Sequence, residues 1–439
     1  MMVRKRIAVA ALGLWFAATS FAQATKIQRV VSPAGIEAWL VQDASVPLVA
    51  MEFAFSGGAS QDPAGKPGVA NFTADMLDEG AGDLDSRAFR ERLDRSAIEL
   101  GFSASRDSFR GSLRTLKDKR DEAFDLVRLS TTQPRFDAEP LERVRAQALS
   151  SLRRQSVSPN DLASRRFFAV AFGDHPYAIP GAGTLDSVPT ISADDLRTYT
   201  RRILARDTLT IAVVGDIDAA SLGPLLDRTF GALPAKSDRS AIPLTVAQTS
   251  AGRVNVTLDV PQTVVIFGAP GLARADPDFM TGYVLNHIMA GGGLTSRLYR
   301  EVREKRGLVY SISESLVWMD RSSLLVGSTA TRSDRTNETI ETVEREIRRM
   351  AEEGPTQKEL DEAKSNLKGS QMLSLDTSPK IASALVQYQL DKLGIDYIDK
   401  RNGLVDAVTI EDAKRVARKL WGQNFLTVAV GRVATPTGN

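Results

Sequence analysis

Apolar and polar residues alternate over residues 48–56 and again over 254–267, the period-two signature of a strand. Behind each run the apolar positions recur every three to four residues, which predicts helices over 67–79 and 279–289. A further helix and a pair of strands are expected next in each half, then a run of long amphipathic helices. In the second half these helices are predicted over 336–352, 356–372 and 380–393. Each half is expected to close on a short helix and an apolar strand, Leu209-Thr210-Ile211-Ala212-Val213-Val214-Gly215 and Leu426-Thr427-Val428-Ala429-Val430-Gly431. Strands in hairpins with helices grouped together predict an α+β fold, helices packed on a largely antiparallel sheet.

The order repeats. Thr190-Ile191-Ser192-Ala193-Asp194-Asp195 and Thr409-Ile410-Glu411-Asp412 each open a helix with a hydroxyl cap and a carboxylate three residues on. Thr190 and Thr409 are 219 residues apart, and the closing strands 217. Ser158-Pro159 with Leu162-Ala163-Ser164 returns as Ser378-Pro379 with Ile381-Ala382-Ser383, at 220 and 219. Leu141-Glu142 returns as Leu360-Asp361, again at 219. Four agreements within three residues imply an internal duplication. The chain therefore divides into a first domain over 25–235, a linker over 236–252 and a second domain over 253–439. The linker is polar, aperiodic and carries Pro243.

A chain of 439 residues exceeds what one core supports, which agrees with two domains. With 43% hydrophobic and 25% charged residues the composition is that of an ordinary globular protein. The absence of Cys excludes disulfides, thiolate catalysis and cysteine metal sites, and two His leave little for a histidine-rich zinc site. A net charge of +2 gives no sign of a nucleic-acid partner. Residues 1–24 read as a secretory signal peptide: Arg4, Lys5 and Arg6, an apolar run over 7–16, then Ala22-Gln23-Ala24 as the cleavage site. Removing its three positive charges takes the balance from +2 to −1. No later stretch has the length of a membrane helix, so a protein free of the membrane in a bacterial periplasm is expected.

Three stretches carry a family resemblance: Ser56-Gly57-Gly58-Ala59-Ser60 with Gly65-Lys66-Pro67-Gly68-Val69-Ala70; Gly173-Asp174-His175-Pro176-Tyr177; and, most specific, the run from Thr295-Ser296-Arg297-Leu298 through Arg303 and Gly307 to Tyr310-Ser311. Together with the duplication they resemble the pitrilysin/insulinase superfamily of zinc peptidases, in particular its bacterial branch similar to mitochondrial processing peptidase. Catalytic members carry His-x-x-Glu-His on the first helix, two zinc ligands on one face with a general base between them. The matching positions here are Asn71, Ala74 and Asp75, which do not make that site. The family's distal Glu falls at 148–152, where no carboxylate stands; Glu142 is the nearest and lies on the wrong turn. His175 and His287 are 112 residues apart, share no ligand spacing and read as structural residues. Asp75, Asp78 and Glu79 read as a solvated helix end rather than a hard-cation site.

The second-domain half of the family's site is present. The resemblance maps its Arg and Tyr onto Arg303 and Tyr310. Arg303 is expected in the last turns of a helix capped near Thr295, Gly307 should end that helix in a left-handed conformation, and Tyr310 should head a strand. A guanidinium and a phenol so placed can both donate to one peptide carbonyl and to the oxyanion that forms on it. Arg306 is nearer the helix end and is the residue most easily mistaken for the functional one. Gly291, Gly292 and Gly293 correspond to a glycine-rich substrate-handling segment of related subunits, or form only a turn. The strand before Ser56 and the strand over 322–329 are candidate peptide-accepting sheet edges, or else internal strands.

The resemblance thus implies the non-catalytic, clamshell-like subunit of an exported heterodimeric peptidase. It binds no cofactor itself, and its partner is a homologous chain with an intact zinc motif that supplies the zinc for peptide substrates. The alternative is a catalytically inert peptide-binding or scaffold protein of the same fold.

Overall fold

The computed structural model describes residues 26–432, so the predicted signal peptide lies outside the described residues. The first half contains β1 (Ile27–Val31), β2 (Glu37–Gln42), β3 (Leu48–Ser56), α1 (Val69–Met76), α2 (Ser86–Arg95), β4 (Glu99–Ala104) and β5 (Ser108–Leu116). It continues with α3 (Arg120–Thr132), α4 (Ala138–Val157), α5 (Pro159–Phe172), α6 (Ala193–Ile203), β6 (Leu209–Gly215) and α7 (Ala219–Phe230). The second half contains β7 (Arg253–Thr257), β8 (Gln262–Pro270), α8 (Phe279–Asn286), β9 (Val309–Trp318) and β10 (Ser323–Arg332). After them come α9 (Thr336–Glu353), α10 (Gln357–Ser374), α11 (Ser378–Leu390), α12 (Tyr397–Asp406), α13 (Ile410–Trp421) and β11 (Leu426–Gly431).

The sheets are β1-β2-β6-β3-β5-β4 and β7-β11-β8-β10-β9. Apart from β1 the two orders match strand for strand, and so do the polarities: β2 with β6 and β7 with β11 are parallel, and every other pair is antiparallel. The fold is α+β with a duplicated, largely antiparallel sheet. The helix caps sharpen the repeat. In the first half Ser192, not Thr190, accepts from Asp195 N and forms a reciprocal capping box, while Thr409 accepts from Asp412 N. Ser192 and Thr409 are 217 residues apart, the same spacing as the strands that follow.

Four other expectations change. The run over 254–267 is two strands, because Pro261 has no N–H to donate and the chain turns there with Val260 N bonded to Leu258 O. β7 and β8 are not even neighbours, since β11 lies between them. The first half ends on α7 rather than on its closing strand, and α12 stands between α11 and α13. The candidate edges β3 and β10 are internal; the edges are β1 and β4 in one sheet and β7 and β9 in the other. Both internal strands pair with partners distant in sequence, which no local pattern announces.

Helices α1, α3, α6 and α7 cover one face of the first sheet around Met51, Phe53, Phe55 and Val213. The opposite face, formed by Trp39, Val41, Ala54, Ala212 and Val214, packs against Ala382, Leu385 and Val386 of α11, a helix of the second half. The second sheet reciprocates. Its own α8, α9 and α13 cover one face, and Ala163, Phe167 and Ala171 of α5 cover Val264, Leu324, Leu426, Val428 and Val430 on the other. Gly268 leaves the space that Phe167 fills: a Cβ there would lie 2.7 Å from its ring. The segment between the halves has no helix or strand and is bonded to both, through Thr245 N to Arg321 O and Gln248 N to Ala171 O. Each half is therefore covered by a helix belonging to the other.

Truncating an exchanged helix should destabilise the whole chain. Phe167→Ala should cost about 3–5 kcal/mol and Leu385→Ala about 2–5 kcal/mol. Denaturant unfolding followed by circular dichroism should show one transition in each variant; two separated transitions would contradict the interlock.

Candidate functional site

After α8 the helix widens into a π turn over His287–Gly291, with Gly292 N bonded to His287 O at 2.8 Å. A Cβ on Gly292 would meet that same carbonyl at 2.8 Å, and Gly293 has φ +60°, so this turn requires small residues. The predicted Thr295 cap is absent. The tight turn over Gly293–Thr295 engages its hydroxyl on Gly292 O and that of Ser296 on Gly293 O. The next helix starts one residue later, with Arg300 N on Ser296 O. It too widens, over Tyr299–Glu304, and Lys305 N bonds Arg300 O. Such π widenings recur at functional sites. Gly307, at φ +60°, closes the helix; its N–H bonds Arg303 O, and Leu308 N bonds Val302 O.

Arg303 and Tyr310 flank this stop. Tyr310 is 83% exposed at the head of β9. Arg303 is exposed, lies 5.8 Å over the Tyr299 ring, and forms no ion pair among the described residues. Its neighbours on the helix are engaged. Arg306 donates to Glu301 O and Oε2, and Lys305 pairs with Glu301. Arg306 is thus tied back onto its own helix, and Arg303 is the cation left facing outward.

The start of this helix is anchored more firmly than its end. Arg297 is 4% exposed and forks onto Glu359, Nε to Oε1 at 2.7 Å and Nη2 to Oε2 at 2.6 Å, with a further bond from Nη2 to Gly354 O. Glu359 also accepts from Thr356 N, and its own N–H donates to Thr356 Oγ1, a capping box at the head of α10. Burial alone would raise the Glu359 carboxyl, but the bonds from Arg297 and Thr356 outweigh it and hold the group at about 2.

On the other sheet, α1 starts from Gly68 at φ +105°. Asn71 spends its amide N–H on Gly181 O at 2.8 Å, Ala74 is buried in the core, and Asp75 points outward. Partial loss of hydration and the like charge of Asp78 push the Asp75 carboxyl up to about 6. Glu79 is buried between Arg90, Arg143 and Ser86, so it is not available to a cation beside Asp75 and Asp78. Glu142 pairs with Arg145 on the exposed side of α4. The stretch over 148–152 begins six residues further on and ends ten, roughly 9–15 Å along the helix axis.

Two family models match the chain: "Insulinase (Peptidase family M16)" over residues 38–185 and "Peptidase M16 inactive domain" over residues 190–367. The chain belongs to peptidase family M16. Among similar proteins, the "Non-peptidase homolog YmxG" of Helicobacter pylori is 28% identical over 76% of this chain and 77% of that one. The "Uncharacterized zinc protease YmxG" of Bacillus subtilis is 22% identical over 94% and 99%. The solved M16 inactive domain of Pseudomonas fluorescens superposes with a TM-score of 0.87 at 28% identity, covering 93% of this chain and 98% of that one.

The M16 zinc motif is not kept in α1, and the residues that replace it do not fit a metal. The Asn71 amide nitrogen is a donor already committed to Gly181, Ala74 has no ligand atom, and Asp75 lacks companions. Among the described residues no three His, Asp or Glu side chains converge as metal ligands. The two histidines are placed by their surroundings. His175 Nδ1 accepts from Tyr177 N at 3.1 Å and Nε2 faces Pro243 O at 3.0 Å, which fixes the tautomer with the proton on Nε2. His287 is half-buried in the π turn, and that burial lowers its pKa. The Arg297–Glu359 anchor escaped the sequence reading, although Thr356-Gln357-Lys358-Glu359 carries the capping-box signature at the head of the helix predicted over 356–372.

Arg297→Ala should strand a largely buried carboxylate and cost about 3–5 kcal/mol in urea unfolding. Because the Glu359 value is depressed on folding, its contribution is complete above pH 4.5 and is lost as the pH falls towards 2. Glu359→Gln should therefore flatten the stability profile across that window.

Proposed function

We propose that this chain is the non-catalytic subunit of an exported, two-subunit M16 zinc peptidase acting on peptides in the periplasm. Its partner is a homologous chain with an intact His-x-x-Glu-His motif, which supplies the zinc and the activated water. This chain contributes Arg303 and Tyr310. Their guanidinium and phenol donate hydrogen bonds to the scissile carbonyl and stabilise the charge that gathers on its oxygen during attack. The observation that carries the reading is their presentation. An exposed tyrosine buries no ring, and an arginine without a carboxylate partner gains little from its position. Both stand on irregular backbone at one helix–strand junction, while Arg306 and Lys305 beside them are paired.

Co-purification of the native protein should recover a heterodimer with one zinc, held by the partner. With a quenched peptide, Arg303→Ala and Tyr310→Phe should each lower kcat by about 10²–10³-fold while the complex still assembles. Full activity in both variants, or zinc-dependent cleavage by this chain alone, would overturn the proposal. A second reading, an inert peptide-binding scaffold, is favoured by the "non-peptidase" and "inactive domain" names of similar proteins. It predicts a native complex without hydrolysis and peptide binding unchanged by Arg303→Ala.

A further inference from the structure

Strands β9 and β10 pair in one register from Ser323 opposite Trp318 to Thr329 opposite Ile312, and then shift: Thr331 stands opposite Val309. Tyr310 and Ser311 therefore face the single residue Ala330, which is a β-bulge. The bulge decides where Tyr310 points. Ile312, Glu314 and Leu316 are buried on one face of β9, and Ser311, Ser313 and Ser315 are exposed on the other. Unbroken alternation would put Tyr310 on the buried face and Val309 on the exposed one. The extra residue reverses this, leaving Val309 6% and Tyr310 83% exposed.

Three threonine hydroxyls close around the bulge, at 6%, 2% and 0% exposure for Thr329, Thr331 and Thr339. Thr329 Oγ1 donates to Ser311 O at 2.7 Å. Thr331 Oγ1 donates to Leu308 O at 2.8 Å, and the Thr339 hydroxyl of α9 lies 2.9 Å from Thr331 Oγ1. The Leu308 residue is thus held at both ends, its N–H by Val302 O in the helix of Arg303 and its carbonyl by Thr331. We propose that Thr331, supported by Thr329, is a positioning residue: its hydroxyl fixes the bulge, turns Tyr310 out of the sheet core and ties it to the helix that presents Arg303. The assignment rests on the proposed role of Tyr310 only for its catalytic consequence; the orientation stands on the geometry.

The test replaces the hydroxyl by a methyl, Thr331→Val, in the full chain and compares Thr331→Ser, which keeps the donor. Nitration of Tyr310 by tetranitromethane, resolved by peptide mass spectrometry, reports its exposure, with the buried Tyr177 and Tyr199 as internal controls. Loss of the buried carbonyl's partner should slow Tyr310 nitration about tenfold in Thr331→Val, with Thr331→Ser close to wild type. In the complex, Thr331→Val should lower kcat with little change in KM, and adding Tyr310→Phe should have little further effect. Unchanged nitration in a folded Thr331→Val variant would overturn the positioning role. Slowed nitration with undiminished hydrolysis would uphold it and instead remove Tyr310 from the proposed chemistry. If Thr331→Val fails to fold, Thr329→Val carries the same readouts and decides in the same way.

Discussion

The exchange of helices between the two sheets is the constraint on which the rest of this molecule depends. A sheet apolar on both faces must be covered twice, and each half brings its own helices to only one face. The second cover comes from the other half: α11 over Trp39, Ala212 and Val214, and α5 over Val264, Leu426 and Val428. Packing of this kind leaves no dry joint at which the chain could hinge without exposing a core. The polar seam agrees with it. Tyr177 OH donates to Asp107 and accepts from Arg321 N, so the β4–β5 and β9–β10 hairpins are joined through one phenol. Under the proposed function, the opening that admits a peptide would then lie between this chain and its partner rather than between its halves.

That rigidity suits the half-site proposed for Arg303 and Tyr310. Arg303 and Tyr310 come from a helix and a strand that both depart from ideal geometry, and the departures are held from below. Arg297 fixes the start of the helix to α9 and α10, Gly307 closes its end, and threonine hydroxyls fix the bulge. At the position where M16 enzymes hold zinc the same economy runs the other way. Asn71 and Ala74 have been absorbed into ordinary packing, one as a strut to Gly181 and one as core.

The parts of the fold legible in the sequence were those written locally. Capping pairs such as Thr409 with Asp412, the Ser-Pro helix starts and the β3 alternation need only a few neighbouring residues to be read. What escaped depends on partners far along the chain. Whether β3 and β10 are edges or internal strands is not legible locally, because β5 and β6 reach β3, and β8 reaches β10, from far along the chain, and the run over 254–267 is broken into two strands at Pro261. The helix exchange left only a faint trace: Ile211 to Val214 and Val428 to Val430 are apolar at successive positions, as in sheets buried on both sides. At the site, the spacing of Arg303, Gly307 and Tyr310 was readable because a glycine stop has a local signature. The outward turn of Tyr310 was not, since strict alternation would have buried it, and the Arg297–Glu359 bond joins residues 62 apart.

The crossed cover also has a consequence in time. A ribosome delivers β6 about 170 residues before it completes α11, an interval of roughly 10–35 s at ordinary elongation rates. Throughout that delay Trp39, Val41 and Val214 have nothing to lie against, so the nascent first half is a sticky, unfinished surface. A chain built this way is poorly suited to maturing as it emerges, because its first sheet cannot be sealed until α11 has been made.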